Sequence, residues 1–206
     1  MKERIIEKTA DMFMRYGVRS VTMDDIANRI SISKKTIYQH FKDKKEVVKV
    51  CMEYLMNQDY EEMMEIQRVS KDSIHEMVLL SVKFREKTKE MNPGLLFDLK
   101  KYHPDAWQVY LDMKDRCFKS TIVDALERGK KEGVIREEID ISVIAQMRIA
   151  HVEVGFDPEV FSPSEYDIAH VQEQMFTHFV YGVTTTKGQE LFNHYLQEIE
   201  QQTSLA

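Results

Sequence analysis

Apolar side chains recur at intervals of three and four residues along most of this 206-residue chain, which is the spacing of amphipathic helices. In the first segment Ile6, Ala10 and Phe13 follow this spacing, and Gly17 marks its end. No segment alternates apolar and polar residues as a strand does, and 7 Gly and 4 Pro are few for an all-β fold. The pattern therefore predicts an all-α fold of about ten helices, over 1–16, 23–30, 34–41, 44–66, 72–90, 94–101, 104–131, 140–153, 164–183 and 187–201.

Capping residues stand before three of these helices. Thr22 and Asp25 form a T-x-x-D capping box, in which a hydroxyl and a carboxylate satisfy free amides at the helix start. Ser33 can cap the short helix that follows it, and Asp43 with Glu46 forms another capping pair. These signals predict where the second, third and fourth helices begin.

Charge is distributed unevenly along the chain. Residues 1–50 hold 12 Lys and Arg against 7 Asp and Glu, a net charge of +5, which leaves −11 on the remainder of a chain whose total is −6. A basic head on an acidic body is typical of a DNA-binding domain attached to a domain with another task. We therefore predict a DNA-binding domain at 1–46 and a larger helical domain at 47–206.

The sequence lacks the patterns typical of enzymes and metal sites. Cys51 and Cys117 lie far apart without a CxxC motif, and no nucleophile elbow, zinc-protease motif or phosphate-binding glycine loop is found. His151 and Glu153 are two residues apart on one helix and point to different faces, so a structural role fits His151 better than catalysis. We expect no catalytic residue, metal or cofactor. No stretch approaches the ~18 apolar residues of a membrane span, so we expect a cytoplasmic protein.

The helices at 23–30 and 34–41 are separated by a short break, which is typical of a helix-turn-helix. The second helix has Ile37 and Phe41 on its inward face, and its other side chains suit phosphate oxygens and base edges. We interpret it as a recognition helix that enters the major groove of DNA. Two alternatives stay open: a helix pair whose polar face is merely solvated, and a helix-turn-helix that binds a protein partner.

The stretches GVRSVTMDDIA, from Gly17, and SKKTIYQHFKDK, from Ser33, resemble the DNA-binding domain of the TetR family of transcriptional regulators. A weaker similarity covers the chain from Phe179 to Tyr195. The resemblance implies a homodimer whose C-terminal domain dimerises and binds a ligand. It also implies repression by occupying a near-palindromic operator in double-stranded DNA, with release when the ligand binds.

The resemblance also implies which residues contact DNA, and Thr22 would cap the second helix beside a phosphate. With Lys35 and Gln39 from the polar face of the recognition helix, the predicted DNA-binding residues are Thr22, Lys34, Lys35, Thr36, Tyr38, Gln39, His40 and Lys44. Two positions depart from the family pattern, since Ser31 and Lys35 stand where members often have glycine. If Ser31 adopts a left-handed conformation, the cost is on the order of 1 kcal/mol.

The last two predicted helices carry apolar stripes that could form half of a four-helix bundle between two copies. The predicted dimer-interface residues are Ile168, Val171, Met175, Phe179, Leu191, Phe192, Tyr195, Leu196 and Ile199. A palindromic DNA site requires a two-fold protein, which favours this interpretation. The alternative is that both stripes pack only within one subunit.

Large side chains cluster along the helices between 72 and 153, where the resemblance implies the ligand site. The predicted ligand-binding residues are Phe84, Phe97, Trp107, Tyr110, Phe118, Met147 and His151, several of them on one face of the 104–131 helix. Together with 13 Met, they favour an apolar or amphipathic ligand, and the acidic body leaves a cationic one open. Ordinary core packing, in a regulator without a ligand, is the alternative.

Overall fold

The structure is a computed structural model that describes residues 1–204. Its α-helices are α1 Lys2–Tyr16, α2 Met23–Ile30, α3 Lys34–Tyr38, α4 Lys44–Val69, α5 Ser73–Glu90, α6 Leu95–Tyr102, α7 Pro104–Met113, α8 Lys119–Lys131, α9 Ile141–Gly155, α10 Ile168–Val183 and α11 Thr186–Ser204. A π-helical turn, Lys114–Phe118, joins α7 to α8 in one uninterrupted helix, which brings the number of helices to ten. Within residues 1–204 there is one isolated β-bridge, between Ile135 and Thr184, and no strand. The all-α prediction is confirmed.

The chain folds as two compact units. The first comprises Met1–Glu61 and Glu90–Arg116, and the second comprises Glu62–Lys89 with the chain from Cys117 onward. The first unit therefore contains α1 to α3, the part of α4 up to Glu61, and α6 and α7. The predicted domain boundary after residue 46 separates two functions and falls inside α4, which continues from Lys44 to Val69. The division into compact units does not test this boundary, so it stays a prediction.

The core of the first unit lies between the three short N-terminal helices and the start of α4. Its largest members, Ile5, Phe13, Ile26, Ile37 and Phe41, are at most 2% exposed. Helix α1 packs on α2, and α2 packs on α3. Apolar residues at helical spacing therefore bury one face of each helix and leave the polar face of α3 outside.

Helix ends in this unit follow the local signals in the sequence. Gly17 ends α1 with φ of 79°, a conformation that costs glycine little because it has no Cβ. The amide of Glu46 donates to Asp43 Oδ1 at 2.8 Å, and Glu46 Oε2 accepts from the amide of Lys42 at 2.7 Å. These two bonds fix the start of α4 directly after the recognition helix.

Helices α5, α8, α10 and α11 build the core of the second unit. Ile74, Leu126, Ile135, Val180 and Phe192 belong to one apolar cluster and are at most 1% exposed. By packing around this cluster, the four helices remove its apolar side chains from water.

A paired arginine lies beside this core. Arg128 forms an ion pair with the fully buried carboxylate of Glu76, and its Nε lies 3.7 Å from Glu132 Oε1. Burial raises the pKa of Glu76, and the hydrogen bond from Arg128 opposes that rise. Glu132 Oε2 also accepts from the hydroxyl of Ser73 at 2.5 Å. Two carboxylates thus compensate the charge of this arginine.

Several predicted helix bounds differ from the structure, and α4 continues to Val69 rather than ending at residue 66. Helix α3 ends at Tyr38 rather than at residue 41, and α10 begins at Ile168 rather than at 164, because Asp167 caps it by accepting from the amides of Ala169 and His170. The predicted helix 104–131 is continuous, but it contains the π-helical turn. A π turn holds more residues than an α turn and rotates the next part of the helix about its axis, so Phe118 does not continue the face predicted from Trp107.

Candidate DNA-binding site

The start of α2 is fixed by a complete capping box. The amide of Asp25 donates to Thr22 Oγ1 at 3.2 Å, and the Thr22 amide donates to Asp25 Oδ2 at 2.8 Å. The Thr22 hydroxyl donates to the same oxygen at 2.6 Å. The hydroxyl and amide of Thr22 together hold the pKa of Asp25 below its ordinary value. Thr22 is exposed, as a residue beside a DNA phosphate must be.

The turn between α2 and α3 depends on a left-handed serine. Ser31 has φ 60° and ψ 47°, and it is the one non-glycine residue with positive φ within residues 1–204. Its amide donates to Asn28 O at 3.2 Å, and the Ile32 amide donates to Ala27 O at 3.0 Å. Ser31 therefore does adopt the left-handed conformation, whose cost is on the order of 1 kcal/mol.

Helix α3 presents its polar side chains to solvent. Ser33 caps the helix by accepting from the Thr36 amide at 3.1 Å, and the two hydroxyls lie 2.9 Å apart. Ile37 is completely buried, whereas Lys35 is exposed and Tyr38 keeps 48% of its surface exposed. The helix is anchored by one face and offers a cation and a phenol on the other.

Gln39 and His40 come after the last turn of α3. Gln39 is exposed at the C-terminal cap, and His40 is half-buried, with its ring centroid 6.4 Å from that of Phe41. Both side chains therefore lie beyond the helix, at its C-terminal end, rather than on its outward face.

Two lysines of the predicted set have partners in the same unit. Lys34 Nζ donates to Asp24 Oδ2 at 3.0 Å, and this hydrogen bond raises the pKa of Lys34. Lys44 Nζ donates to Val18 O at 2.6 Å, and burial lowers the pKa of Lys44, while the charge of Asp25 opposes that change. Lys35 has no ion-pair partner in the part of the chain that is described, so no carboxylate of this part would compete with a phosphate for it.

Residues 5–51 match the family described as bacterial regulatory proteins, tetR family. The chain is also 30% identical over 195 residues to the HTH-type transcriptional regulator YvaF of Bacillus subtilis, an alignment that covers 89% of this chain and 96% of the relative. The chain belongs to the TetR family. As a TetR-family protein it is a DNA-binding transcriptional regulator and not an enzyme.

A second relative and a solved structure extend the comparison. The chain is 39% identical over 61 residues to IcaR of Staphylococcus aureus, named as a negative regulator of a biofilm operon, over 28% of this chain and 33% of the relative. The structure of FadR from Bacillus subtilis in complex with stearoyl-CoA aligns with a TM-score of 0.64 at 18% identity, covering 88% of this chain and 99% of FadR. At that identity the likeness shows a shared fold.

The predicted ligand-binding residues lie in both compact units of this TetR-family chain. Phe97 of α6 belongs to the first unit, as do Trp107 and Tyr110 of α7, whose rings stack at 4.7 Å. Residues of the second unit are Phe84, Phe118, Met147 and His151. Phe97 and Met147 are 41% and 45% exposed, so in one chain they lie at the surface. The assignment of these residues to a ligand site stays a prediction.

Most of the predicted dimer-interface residues are already buried within one chain. The residues at 8% exposure or less are Ile168, Val171, Phe179, Phe192 and Tyr195. Because Phe192 is 1% exposed and belongs to the apolar cluster of the second unit, it has almost no surface left to bury against a second copy. The half-buried members are Met175, Leu191, Leu196 and Ile199.

Sequence reasoning missed two charged residues that the structure singles out. Asp24, the partner of Lys34, is ten positions away across the turn, so helical spacing gives no sign of the pair. Arg148 is the one arginine in the largely apolar helix α9, and the structure buries it. A lone arginine in an apolar helix was the available signal, because arginine is rarely buried without a reason.

None of the helices within residues 1–204 is both long and apolar enough to span a membrane. In the same range, no three His, Cys, Asp or Glu side chains are grouped so that they could hold a metal ion.

Proposed function

We propose that this TetR-family regulator is a repressor that occupies a near-palindromic operator as a homodimer. An apolar or amphipathic small molecule bound by the C-terminal domain releases the operator. In this proposal the DNA-binding domain is 1–46 and the ligand-binding and dimerisation domain is 47–206, and α4 links the two.

The observation that carries this proposal is the orientation of α3. Its apolar anchor, Ile37, is completely buried, while Lys35 and Tyr38 point outward on a head whose net charge is +5 over residues 1–50. Cations and phenols on an exposed helix are suited to phosphate oxygens and base edges in the major groove. A helix that served only the core would not leave 48% of a tyrosine exposed beside a free lysine.

Repression and ligand control are supported by relatives. IcaR is named as a negative regulator, and its similarity to this chain covers 61 residues. FadR shares the fold and holds stearoyl-CoA, an amphipathic molecule. We extend both properties to this chain as parts of the proposal.

Dimerisation is proposed through α10 and α11, with the half-buried residues as the contact. Met175, Leu191, Leu196 and Ile199 retain surface that a second copy can cover. Sedimentation equilibrium at micromolar concentration tests this, and Leu196→Glu is expected to shift the protein toward monomer. If the variant remains a dimer, the interface lies elsewhere, and the exposed apolar residues Val143, Met147 and Val154 of α9 are the next surface to examine.

The DNA-binding proposal is tested by selecting duplexes from a randomised pool and measuring their affinity by fluorescence anisotropy. Tyr38→Ala should weaken binding to the selected duplex at least about tenfold, as expected for the loss of a base-edge contact. Tyr60→Ala is the matched control, because Tyr60 is an exposed tyrosine of α4, at 38%, in the same unit. Equal affinity of both variants and the wild type would refute the assignment of α3.

The direction of regulation needs a second measurement. A reporter gene placed downstream of the selected duplex should be transcribed less when the protein is present. Increased transcription would show an activator instead. It would leave the DNA-binding assignment intact.

A further inference from the structure

Arg148 lies in an apolar position between two helices of the second unit. It belongs to α9 and is 9% exposed, and its Nη1 has no hydrogen-bond partner. Its guanidinium carbon lies 5.4 Å from the ring centroid of Phe176 and 5.7 Å from that of Phe179, both on α10. The guanidinium group of Arg148 therefore lies beside two aromatic rings, whose faces attract cations.

No carboxylate compensates this charge in the described residues. Burial lowers the pKa of Arg148 to about 10, so the side chain is still a cation at neutral pH. Arg128 of the same unit shows how a structural arginine is accommodated here, because it pairs with Glu76 and faces Glu132. Burying a charge without an opposite partner is costly, and ring faces return only part of that cost.

A second unpartnered nitrogen lies one turn further along α9. His151 Nδ1 is buried without a hydrogen-bond partner, three residues after Arg148 and on the same side of the helix. Burial first, and then the charges of Arg148 and His178, lower the pKa of His151, which favours the neutral imidazole. A neutral imidazole can still donate one hydrogen bond. Arg148 and His151 thus supply two donors on one side of the helix that the fold itself does not use.

We propose that Arg148, assisted by His151, receives the carboxylate of an effector whose remaining part is apolar. The inference rests on the proposed function, since it names the chemical class of the ligand that releases the operator. The guanidinium fork binds a carboxylate with two hydrogen bonds, and the rings of Phe176 and Phe179 suit an apolar body beside it. The net negative charge of residues 51–206 is compatible with a cationic ligand, whereas the unpaired Arg148 favours an anionic one.

Solvent does not reach Nη1 in this structure, so the contact between α9 and α10 opens when the effector binds. A ligand that binds only the opened state shifts the protein toward it, and this differential affinity is what control of DNA binding requires. Arg148 therefore acts as the group that recognises the effector in the opened state.

The test compares probes that share one chain and differ in the head group. Octanoate, 1-octanol and octylamine, with acetate as the head group alone, are titrated into the full-length protein by calorimetry. Octanoate should bind at least about tenfold more tightly than 1-octanol, because charge-assisted hydrogen bonds exceed neutral ones. In Arg148→Met this preference should fall to within about twofold. Arg85→Met is the control, since it removes an arginine of α5 that is paired with Glu173 at 2.6 Å, and it should keep the preference.

Stability separates a receptor from a structural role. Arg148→Met removes an unpaired buried charge and keeps an apolar side chain of similar length, so its melting temperature should equal or exceed that of the wild type. A large loss of stability in Arg148→Met would show that the arginine supports the fold, and would overturn the proposal. Arg148→Lys keeps the charge without the fork, and it should bind octanoate more weakly than the wild type and more tightly than Arg148→Met.

The remaining outcomes distinguish this proposal from the proposed function. If 1-octanol or octylamine binds and releases DNA as well as octanoate does, ligand control stands and the carboxylate receptor is refuted. If octanoate binding depends on Arg148 but leaves DNA affinity unchanged, the receptor stands and ligand control fails. Acetate binding as tightly as octanoate would mean a site for small free anions, and no preference for octanoate in the wild type would mean no receptor. Either result overturns the proposal.

Discussion

The ion pair between Lys34 and Asp24 makes a quantitative prediction about DNA binding. The two side chains are 46% and 66% exposed, and their charged atoms lie 3.0 Å apart, so in the free protein the carboxylate neutralises a cation of the recognition helix. A phosphate must compete with Asp24 for this lysine. Asp24→Asn removes the competitor, and Lys34 then contributes a full phosphate contact.

The magnitude is set by counterion release. Each phosphate contact adds about 0.9 to the slope of log affinity against log salt. One gained contact therefore makes the affinity of Asp24→Asn fall roughly 3.5-fold more than that of the wild type between about 50 and 200 mM salt. At the low-salt end the variant should bind all duplexes more tightly, and its preference for the selected duplex should decrease, because a phosphate contact carries no sequence information.

Fluorescence anisotropy titrations at four salt concentrations measure this change. Asp11→Asn is the control, because it removes an equal charge from α1, where Asp11 lies near Lys8 rather than near α3. If Asp24→Asn has the slope of the wild type, or if both variants gain affinity equally, then Asp24 does not restrain Lys34 and the reasoning is wrong.

Substitutions at three further places, two of them with a matched control variant, test how the helices are held, by thermal and urea unfolding. Thr22→Ala should cost about 1 kcal/mol through loss of the cap of α2, whereas Thr22→Ser should keep the stability, and equal losses would contradict the capping account. Gly188→Ala should destabilise the protein by about 1–3 kcal/mol, because the new Cβ would clash with Val134 O. Gly182→Ala is its control, because nothing lies within 4 Å of the new Cβ, and it should be neutral or stabilise the protein by up to about 1 kcal/mol. Phe192→Glu should lose cooperative unfolding rather than give a folded monomer, because the side chain is 1% exposed, and a folded monomeric variant would restore Phe192 to the dimer interface.

Capping and turn residues in the sequence were sufficient to predict the helix starts of the DNA-binding domain. The capping box at Thr22 and the left-handed turn at Ser31 depend on residues within a few positions of each other, and both are present as expected. The end of α3 was missed because the sequence between Tyr38 and Asp43 contains no glycine or proline to mark it.

Tertiary packing limited the prediction of the second unit. Apolar periodicity identified the stripes of α10 and α11 but does not say whether they face their own chain or a second copy, and Phe192 faces its own chain. No residue type in the sequence marks the π-helical turn. The prediction of one aromatic face along the helix at 104–131 therefore assumed regular α-helical spacing, which ends after Met113. Arg148 was overlooked because its isolation depends on which residues of α10 face it.

The dependence of DNA affinity on salt distinguishes a DNA-binding α3 from one that binds a protein partner. The full-length protein is titrated with its selected duplex between about 50 and 400 mM KCl, together with Lys35→Ala. We expect log affinity to fall linearly with log salt, with a slope of several units for the wild type, and we expect the Lys35→Ala slope to be smaller by about 0.9. A slope near zero for the wild type would contradict the account and would favour a protein partner, held by apolar contacts, at the helix-turn-helix.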